Sequence, residues 1–278
     1  MINFNGDLQD NNTVLTADNR AFLFGDGVFE TVKIVNGKIL FPEDHYFRLM
    51  AAMRIVRMEI PMDFTMDFFE TQILELAKAE NCLESGRARI TVFRNPGGFY
   101  LPETRGVSWL VTASVLGNKL YSFDKAVYEV DLFKDFYVTA QLLSSIKTTN
   151  RLVNITGSIF ADENGLDNCL LLNDSKNVIE ALQGNLFMLT GNQLVTPPVS
   201  DGCLNGVMRK QILKLAKEMG GFEVSESTIS PFDLQKADEL FITNVITGIR
   251  PITKYRKKEF ATDFASALLI KLNELIGN

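Results

Sequence analysis

The sequence predicts an α+β protein of two lobes, a smaller N-terminal one and a larger C-terminal one. Helix-like and strand-like segments are clustered rather than strictly alternating, which disfavours a doubly wound sheet. The β-prone runs of the second half are short and separated by Asn/Asp/Gly turns. Between the halves, residues 116–125 lose periodicity and turn polar, the pattern of a linker. With 278 residues, 46% of them hydrophobic, the chain can bury a sizeable core in either of two modest domains. Domains are therefore expected at 1–118 and 127–278, joined by a linker over 119–126.

The first lobe opens with a hairpin. Residues 29–35 and 38–41 are β-prone and flank Asn36-Gly37, a pair whose members both tolerate φ > 0. Pro42-Glu43-Asp44 starts a helix whose apolar side carries Tyr46, Leu49, Met50, Met53 and Ile55. A second helix covers 66–79, and strands follow at 87–93 and 108–115. The second lobe starts with strands at 126–132 and 138–143 and a helix over 150–163 that Gly165 stops. Short strands at 169–172, 177–180, 185–189 and 193–196 precede an amphipathic helix over 207–219 that ends in Gly220-Gly221. Strands at 222–226, 239–243 and 248–253 and a helix over 263–275 close the chain.

Composition excludes several functions. Thirty-four acidic against 28 basic residues give a net charge of −6, which argues against a nucleic-acid binder. No apolar run approaches the ~20 residues a membrane span needs, and the polar start lacks a secretory pattern. Cys82, Cys169 and Cys203 lie far apart, so neither a zinc cluster nor a disulfide framework is expected; this fits a reducing cytoplasm. The single histidine, His45, excludes His-rich metal sites. It begins a helix and reads as structural, so proton transfer in an enzyme would fall to Lys, a carboxylate, Tyr or a cofactor.

Lys147 follows an apolar segment and precedes a helix; desolvated in a cleft, such an amine becomes a nucleophile able to form a Schiff base, while in solvent it is only a loop lysine. Glu180 ends a strand, where a carboxylate can keep a pyridine nitrogen protonated or simply close a turn. Asn205-Gly206-Val207-Met208-Arg209 opens the amphipathic helix, whose free amides and dipole suit a phosphate; alternatively Asn205 is a plain N-cap. Arg48 lies on an apolar helix side and must snorkel or meet a buried anion, to which its fork is suited. Arg94, before Asn95-Pro96-Gly97-Gly98, either meets a substrate carboxylate or is a solvated turn residue. Gly25-Asp26-Gly27 lacks the third glycine and following helix of a dinucleotide site. An amine, a ring-nitrogen carboxylate and two phosphate-binding groups match the handles of pyridoxal phosphate.

The residues also form a known pattern: Asp18-Asn19-Arg20, then Phe24 through Thr31, His45 with Arg48-Leu49, Lys147 with Asn150, Glu180 with Asn185-Leu186-Phe187, Asn205 through Arg209, and Glu239 through Asn244. In this order the chain resembles the class IV aminotransferases of fold type IV, the group holding branched-chain aminotransferase, D-amino acid aminotransferase and 4-amino-4-deoxychorismate lyase. The resemblance implies pyridoxal 5'-phosphate as cofactor and Lys147 as its covalent tether and proton shuttle. Glu180 is then the partner of the ring nitrogen. Arg48, Gly206 and the amides of Val207 and Met208 hold the phosphate, with the Asn244-Val245 turn alongside. Phe29, Arg94 and Tyr100 belong to the loops that meet substrate. The family's site lies between a small and a large domain and is completed by a partner subunit, so a cytoplasmic homodimer is implied. The implied reaction is amino-group transfer between an amino acid, branched-chain donors included, and a 2-oxo acid.

Departures from the pattern bear on the subtype. Met208 stands where aminotransferases often carry Thr, and Asn244-Val245 where they carry hydroxyl residues; each lost hydroxyl weakens cofactor binding by ~1 kcal/mol. Asn205 through Arg209, Thr243-Asn244 and the 94–100 loop look more like the lyase, which eliminates pyruvate to give 4-aminobenzoate, although the loop lacks that enzyme's second arginine. Leu152 replaces the tyrosine of branched-chain enzymes, and the Arg-x-His trap of the D-amino acid enzymes is absent. Glu30 keeps the Phe-Glu-Thr form commoner among transaminases. The transaminase is therefore the leading expectation and the lyase the second. A remoter third is a non-catalytic homologue that keeps the fold without turnover.

Overall fold

The computed structural model describes residues 1–10, 15–123 and 126–277. The chain divides into two units, Met1–Lys119 with Ile146–Asn150, and Leu120–Ser145 with Arg151–Asn278. The first contains β1 (Ile2–Phe4), β2 (Asp7–Gln9), α1 (Arg20–Phe24), β3 (Gly27–Val35), β4 (Lys38–Ile39), α2 (Pro42–Ile55), α3 (Met66–Ala79), β5 (Ser85–Arg94) and β6 (Val107–Val115). Its strands form one antiparallel sheet in the order β2-β1-β6-β5-β3-β4. Asn36 and Gly37 both take positive φ, 49° and 73°, as the β3–β4 hairpin requires.

Alternation decides which face each strand residue serves. Val28, Val32 and Ile34 of β3 and Ala88, Ile90 and Val92 of β5 join Leu49, Met53, Phe69, Ile73 and Leu76 of α2 and α3 in one core. The intervening Phe29, Thr31, Lys33, Arg87, Arg89 and Thr91 occupy the opposite face of the sheet. Helix α3 starts where the Thr65 hydroxyl accepts from the Phe68 amide.

The second unit contains β7 (Glu129–Val138), a 3-10 turn (Leu142–Ser145), α4 (Leu152–Glu163), β8 (Asn168–Asn173), β9 (Val178–Ala181), β10 (Gly184–Thr190), β11 (Gln193–Thr196), α5 (Val207–Met219), β12 (Glu223–Glu226), β13 (Glu239–Asn244), β14 (Gly248–Ile252), β15 (Lys254–Tyr255), β16 (Lys258–Glu259) and α6 (Asp263–Gly277). A mixed ten-stranded sheet runs β12-β11-β10-β9-β8-β7-β15-β16, with β13 pairing both β10 and β14. Phe187 and Phe241 stack across β10 and β13, ring centroids 5.1 Å apart. Glu239 caps α6 by accepting from the Phe264 and Ala265 amides at 2.8 and 3.0 Å. All three cysteines are free and buried.

Three expectations need correction. The strand expected over 138–143 is not formed: Val138 ends β7, and 142–145 is a 3-10 turn closed by the hydroxyls of Ser144 and Ser145 on the Gln141 and Leu142 carbonyls. Residues 146–150, expected in the second domain, group with the first unit because they hydrogen-bond to the start of β3. Strands β1 and β2 and helix α1 are additional to the expected elements. The expected linker, 119–126, falls partly on residues 124–125, which lie outside the described residues.

A methyl added to Gly86 would lie 2.3 Å from the Cys82 carbonyl oxygen, a backbone atom that cannot step aside. Gly86→Ala should therefore lower stability by about 1–3 kcal/mol, measured as a reduced midpoint in urea unfolding at unchanged slope.

Candidate functional site

In the first unit the lysine segment is laid on the edge of β3. The Phe29 amide donates to the Lys147 carbonyl at 2.8 Å, the Thr149 amide donates to the Gly27 carbonyl at 2.9 Å, and Thr148 bridges Val28. The Asn150 amide and the Thr149 hydroxyl both donate to the Gly25 carbonyl, at 3.0 and 2.7 Å. Gly25 sits at φ 64°, and a Cβ there would collide with Asn150 Oδ1 at 2.3 Å. The Gly25-Asp26-Gly27 turn is thus the seat of the lysine segment. Lys147 Nζ lies 4.7 Å from the centre of the Phe29 ring, and the Arg89 guanidinium carbon lies 3.7 Å from that same centre.

Beneath, between β3 and α2, lies a buried ionic cluster. Arg48 donates through Nε and Nη2 to the two oxygens of Glu30, both at 2.7 Å. His45 Nδ1 meets Glu30 Oε2 at 2.7 Å. Burial alone would raise the Glu30 carboxyl, but the Arg48 charge and the hydrogen bonds from His45 and Arg48 outweigh it and hold the group at about 2. Burial pushes His45 below its ordinary value; Glu30 opposes this, while the charges of Arg48 and Lys147 reinforce it. The imidazole is therefore neutral at pH 7, with its proton on Nδ1. Among the described residues its Nε2 has no hydrogen-bond partner. The buried anion expected opposite Arg48 is present within the protein itself, as Glu30.

Arg94 takes neither of the roles expected of it. It is buried, and its fork reaches both oxygens of Asp26 and the carbonyls of Val56 and Arg57 at 2.8–3.1 Å. Four polar contacts make it an internal tie, with Asp26 as its carboxylate in place of a substrate's. Tyr100 is 92% exposed, its ring 6.0 Å from Phe24. The surrounding loop is held by Arg20, which donates to the carbonyls of Gly97, Gly98 and Phe99.

In the second unit Glu180, Asn185 and Thr243 are neighbours across β9, β10 and β13. Glu180 Oε2 accepts from the Leu204 amide at 2.8 Å, and Asn185 Nδ2 donates to the Leu204 carbonyl at 2.7 Å. Both side chains thus grip the peptide that leads into α5. The N-cap of α5 is Gly206 and not Asn205, so no cap side chain serves the first-turn amides of Val207 and Met208, and no acid stands in that turn. By contrast α1, α3 and α6 have Asn19, Thr65 and Glu239 on their first amides. A Cβ on Gly206 would fall 1.9 Å from Asn185 Oδ1. An uncapped N-terminus approached through glycine fits a phosphate. Asn244 closes its own turn, its Oδ1 accepting from Ile246 and Thr247 at 2.9 Å; Tyr121 steadies that turn by donating to the Val245 carbonyl at 2.6 Å.

The class IV amino-transferase family profile matches residues 27–255. A Methanocaldococcus jannaschii protein assigned provisionally as a branched-chain-amino-acid aminotransferase is 30% identical over 83% of this chain and 78% of its own length. The D-alanine aminotransferase of Listeria innocua is 29% identical over 87% of this chain and 83% of its own. The branched-chain aminotransferase of Thermoproteus uzoniensis, solved with norvaline, superposes with a TM-score of 0.88 at 21% identity, covering 99% of this chain and 94% of that one. The chain belongs to the class IV aminotransferases.

This enzyme accordingly has the type IV fold and depends on pyridoxal 5'-phosphate. Its residues fit that group: a lysine amine and Arg48 in one unit, a buried carboxylate and an open helix N-terminus in the other. Arg89 is a further candidate that residue type alone does not single out. Its signal was available, because Arg89 alternates with Arg87 and Thr91 on the strand face that also bears Phe29 by register.

The low value of Glu30 makes acid stability a test of the cluster. A carboxyl at about 2 when folded and 4.5 when free stabilises the fold fully above pH 4.5, and this is lost as pH falls toward 2. At pH 7 the contribution is on the order of 3 kcal/mol. Glu30→Gln should therefore unfold more readily than the parent at pH 7, and the gap should close between pH 4.5 and 2 in thermal melts.

The phosphate seat has its own test. Gly206→Ala should weaken pyridoxal phosphate retention by about tenfold or more, since the displaced amides lose charge-assisted hydrogen bonds; dialysis followed by absorbance of the bound cofactor measures it.

Proposed function

We propose that the enzyme is a transaminase that moves the α-amino group of an amino acid, branched-chain donors included, onto a 2-oxo acid. The observation that carries this reading is the Leu204 clamp. The carboxylate suited to a ring nitrogen, Glu180, also grips the peptide that opens the uncapped α5, so a ring end and a phosphate end are provided by one rigid construction.

Bound pyridoxal phosphate supplies an aldehyde and an electron-withdrawing ring that stabilises negative charge at the substrate α-carbon. The protein's residues do the rest. Lys147 would hold the cofactor through its amine and would take and return the substrate α-proton at Nζ. Glu180 would accept from the ring N–H and favour its protonated form. The amides of Val207 and Met208 would donate to the phosphate, and Arg48 would add its charge. Arg89, opposite Thr31 by register and donating through Nε to the Thr91 hydroxyl at 3.1 Å, sets a guanidinium beside the Phe29 ring that would suit a substrate carboxylate. Asn244 and Val245 contribute through their turn, and Phe29 forms the apolar floor beside the amine.

The proposal extends to a homodimer working in the cytoplasm. Phe22, Phe99, Tyr100 and Leu101 are each at least 78% exposed, apolar area of the kind a partner subunit would cover. No helix among the described residues is long and apolar enough to cross a membrane. The absence of hydroxyls at Met208 and Asn244 favours a second reading, elimination of pyruvate from 4-amino-4-deoxychorismate. The aminodeoxychorismate lyase of Vibrio harveyi is 24% identical over 93% of both chains.

One assay separates these outcomes. A panel of L- and D-amino acids with 2-oxoglutarate or pyruvate should yield the donor's oxo acid, whereas pyruvate and 4-aminobenzoate released from 4-amino-4-deoxychorismate would select the lyase. Lys147→Ala should cut turnover by about a thousandfold or more and abolish borohydride fixation of the cofactor at position 147. No exchange with any donor and no elimination would overturn both readings.

A further inference from the structure

Arg48 is a long side chain with about 2 kcal/mol of rotamer freedom to lose, yet its fork is already held in one plane. His45 and Arg48 are three residues apart on α2 and so share a face. Glu30 meets them from the core side of β3. Both Glu30 oxygens are occupied by Arg48, and Oε2 also accepts from His45 Nδ1. His45 donates to one side of the carboxylate, and with Glu30 1% exposed and His45 wholly buried that bond is shielded from solvent. Removing the His45 donor frees the carboxylate to rotate, and the guanidinium plane rotates with it.

We propose that His45 and Glu30 are positioning residues for the cofactor phosphate: His45 fixes Glu30, and Glu30 presents Arg48 to the phosphate in a set orientation. The proposal rests on the reading that Arg48 binds that phosphate. It gives the chain's single histidine a role in cofactor selection without contact with cofactor or substrate. A buried ion pair that served stability alone would make a different prediction, because it would not distinguish a phosphorylated ligand from an unphosphorylated one.

The test compares two ligands on apoenzyme: pyridoxal 5'-phosphate and pyridoxal, which has the same aldehyde and ring without the phosphate. The ratio of their dissociation constants isolates the phosphate's share of binding. Arg48→Met should shrink the ratio by about tenfold or more, the loss of a charge-assisted hydrogen bond. His45→Leu should shrink it by about fivefold or more, and His45→Asn, which keeps a donor near the Nδ1 position, should restore it to within about twofold. In the double variant with Arg48→Met, His45→Leu should cause no further change, as expected of residues acting in series. If His45→Leu does not fold, Glu30→Gln carries the same expectation of a reduced ratio.

A ratio unchanged in His45→Leu or Glu30→Gln while Arg48→Met reduces it overturns the proposal and leaves the proposed function standing. So does an equal loss of affinity for both ligands, the mark of a purely structural role. A ratio unaffected by Arg48→Met would show instead that the phosphate does not use Arg48, and the proposal falls with that part of the functional reading.

Discussion

Two backbone hydrogen bonds, Phe29 amide to Lys147 carbonyl and Thr149 amide to Gly27 carbonyl, determine where the lysine can act. They extract a five-residue segment from the sequence of the second unit and pair it with the first strand-end of the other sheet. An amine on a loop would sample many rotamers and stay solvated. Fixed beside β3, Lys147 instead shares the Phe29 ring with Arg89 and lies close enough to His45 for its charge to disfavour imidazole protonation. The glycines of the Gly25-Asp26-Gly27 turn exist to admit this pairing, because side chains there would strike Asn150 and Thr149.

That constraint concentrates positive charge in the first unit, and the structure balances it with one buried carboxylate, Glu30, and one half-buried, Asp26. Glu30 takes Arg48, and Asp26 takes Arg20 and Arg94. Burial works against ionising Asp26, but hydrogen bonds and charge from Arg94 and Arg20 hold it below its usual range. The two acids differ in what they organise. Asp26 joins α1, β5 and the 95–101 loop into one frame, whereas Glu30 orients a single guanidinium. Breaking either pair leaves an uncompensated buried charge, which costs more than the pair contributes.

Much of this was legible in the sequence where local chemistry decides the outcome. Asn36-Gly37 announces its hairpin because positive φ is a property of those residues alone, and the helices over 42–55, 66–79 and 207–219 follow from periodicity. Lys147, Glu180 and Gly206 could be singled out by residue type and position. What sequence could not supply was partnership over long separations. Arg94 looks solvated or substrate-facing from its neighbours because its partners, Asp26, Val56 and Arg57, are up to 68 residues away. Arg48 was matched to a phosphate, and the carboxylate that orients it, 18 residues upstream, was invisible to helix-face reasoning. The strand expected at 138–143 failed for a local reason, the competition of two serine hydroxyls for main-chain carbonyls.

The uncapped start of α5 is where local and long-range effects meet. A helix of 13 residues whose first amides lack an N-cap side chain forgoes about 1 kcal/mol that Ser, Thr, Asn or Asp would contribute. Asn205, one position earlier, could have been that cap by sequence. The clamp on Leu204 prevents it: with the Leu204 amide on Glu180 and its carbonyl on Asn185, the next two residues are carried forward so that Gly206 becomes the cap. Asn185 Oδ1 then stands where a Cβ at 206 would lie, which excludes every capping side chain at that position. The carboxylate that suits a pyridine nitrogen is therefore also what keeps the helix open for a phosphate, and a change at either Glu180 or Asn185 would disturb both ends of the ligand together.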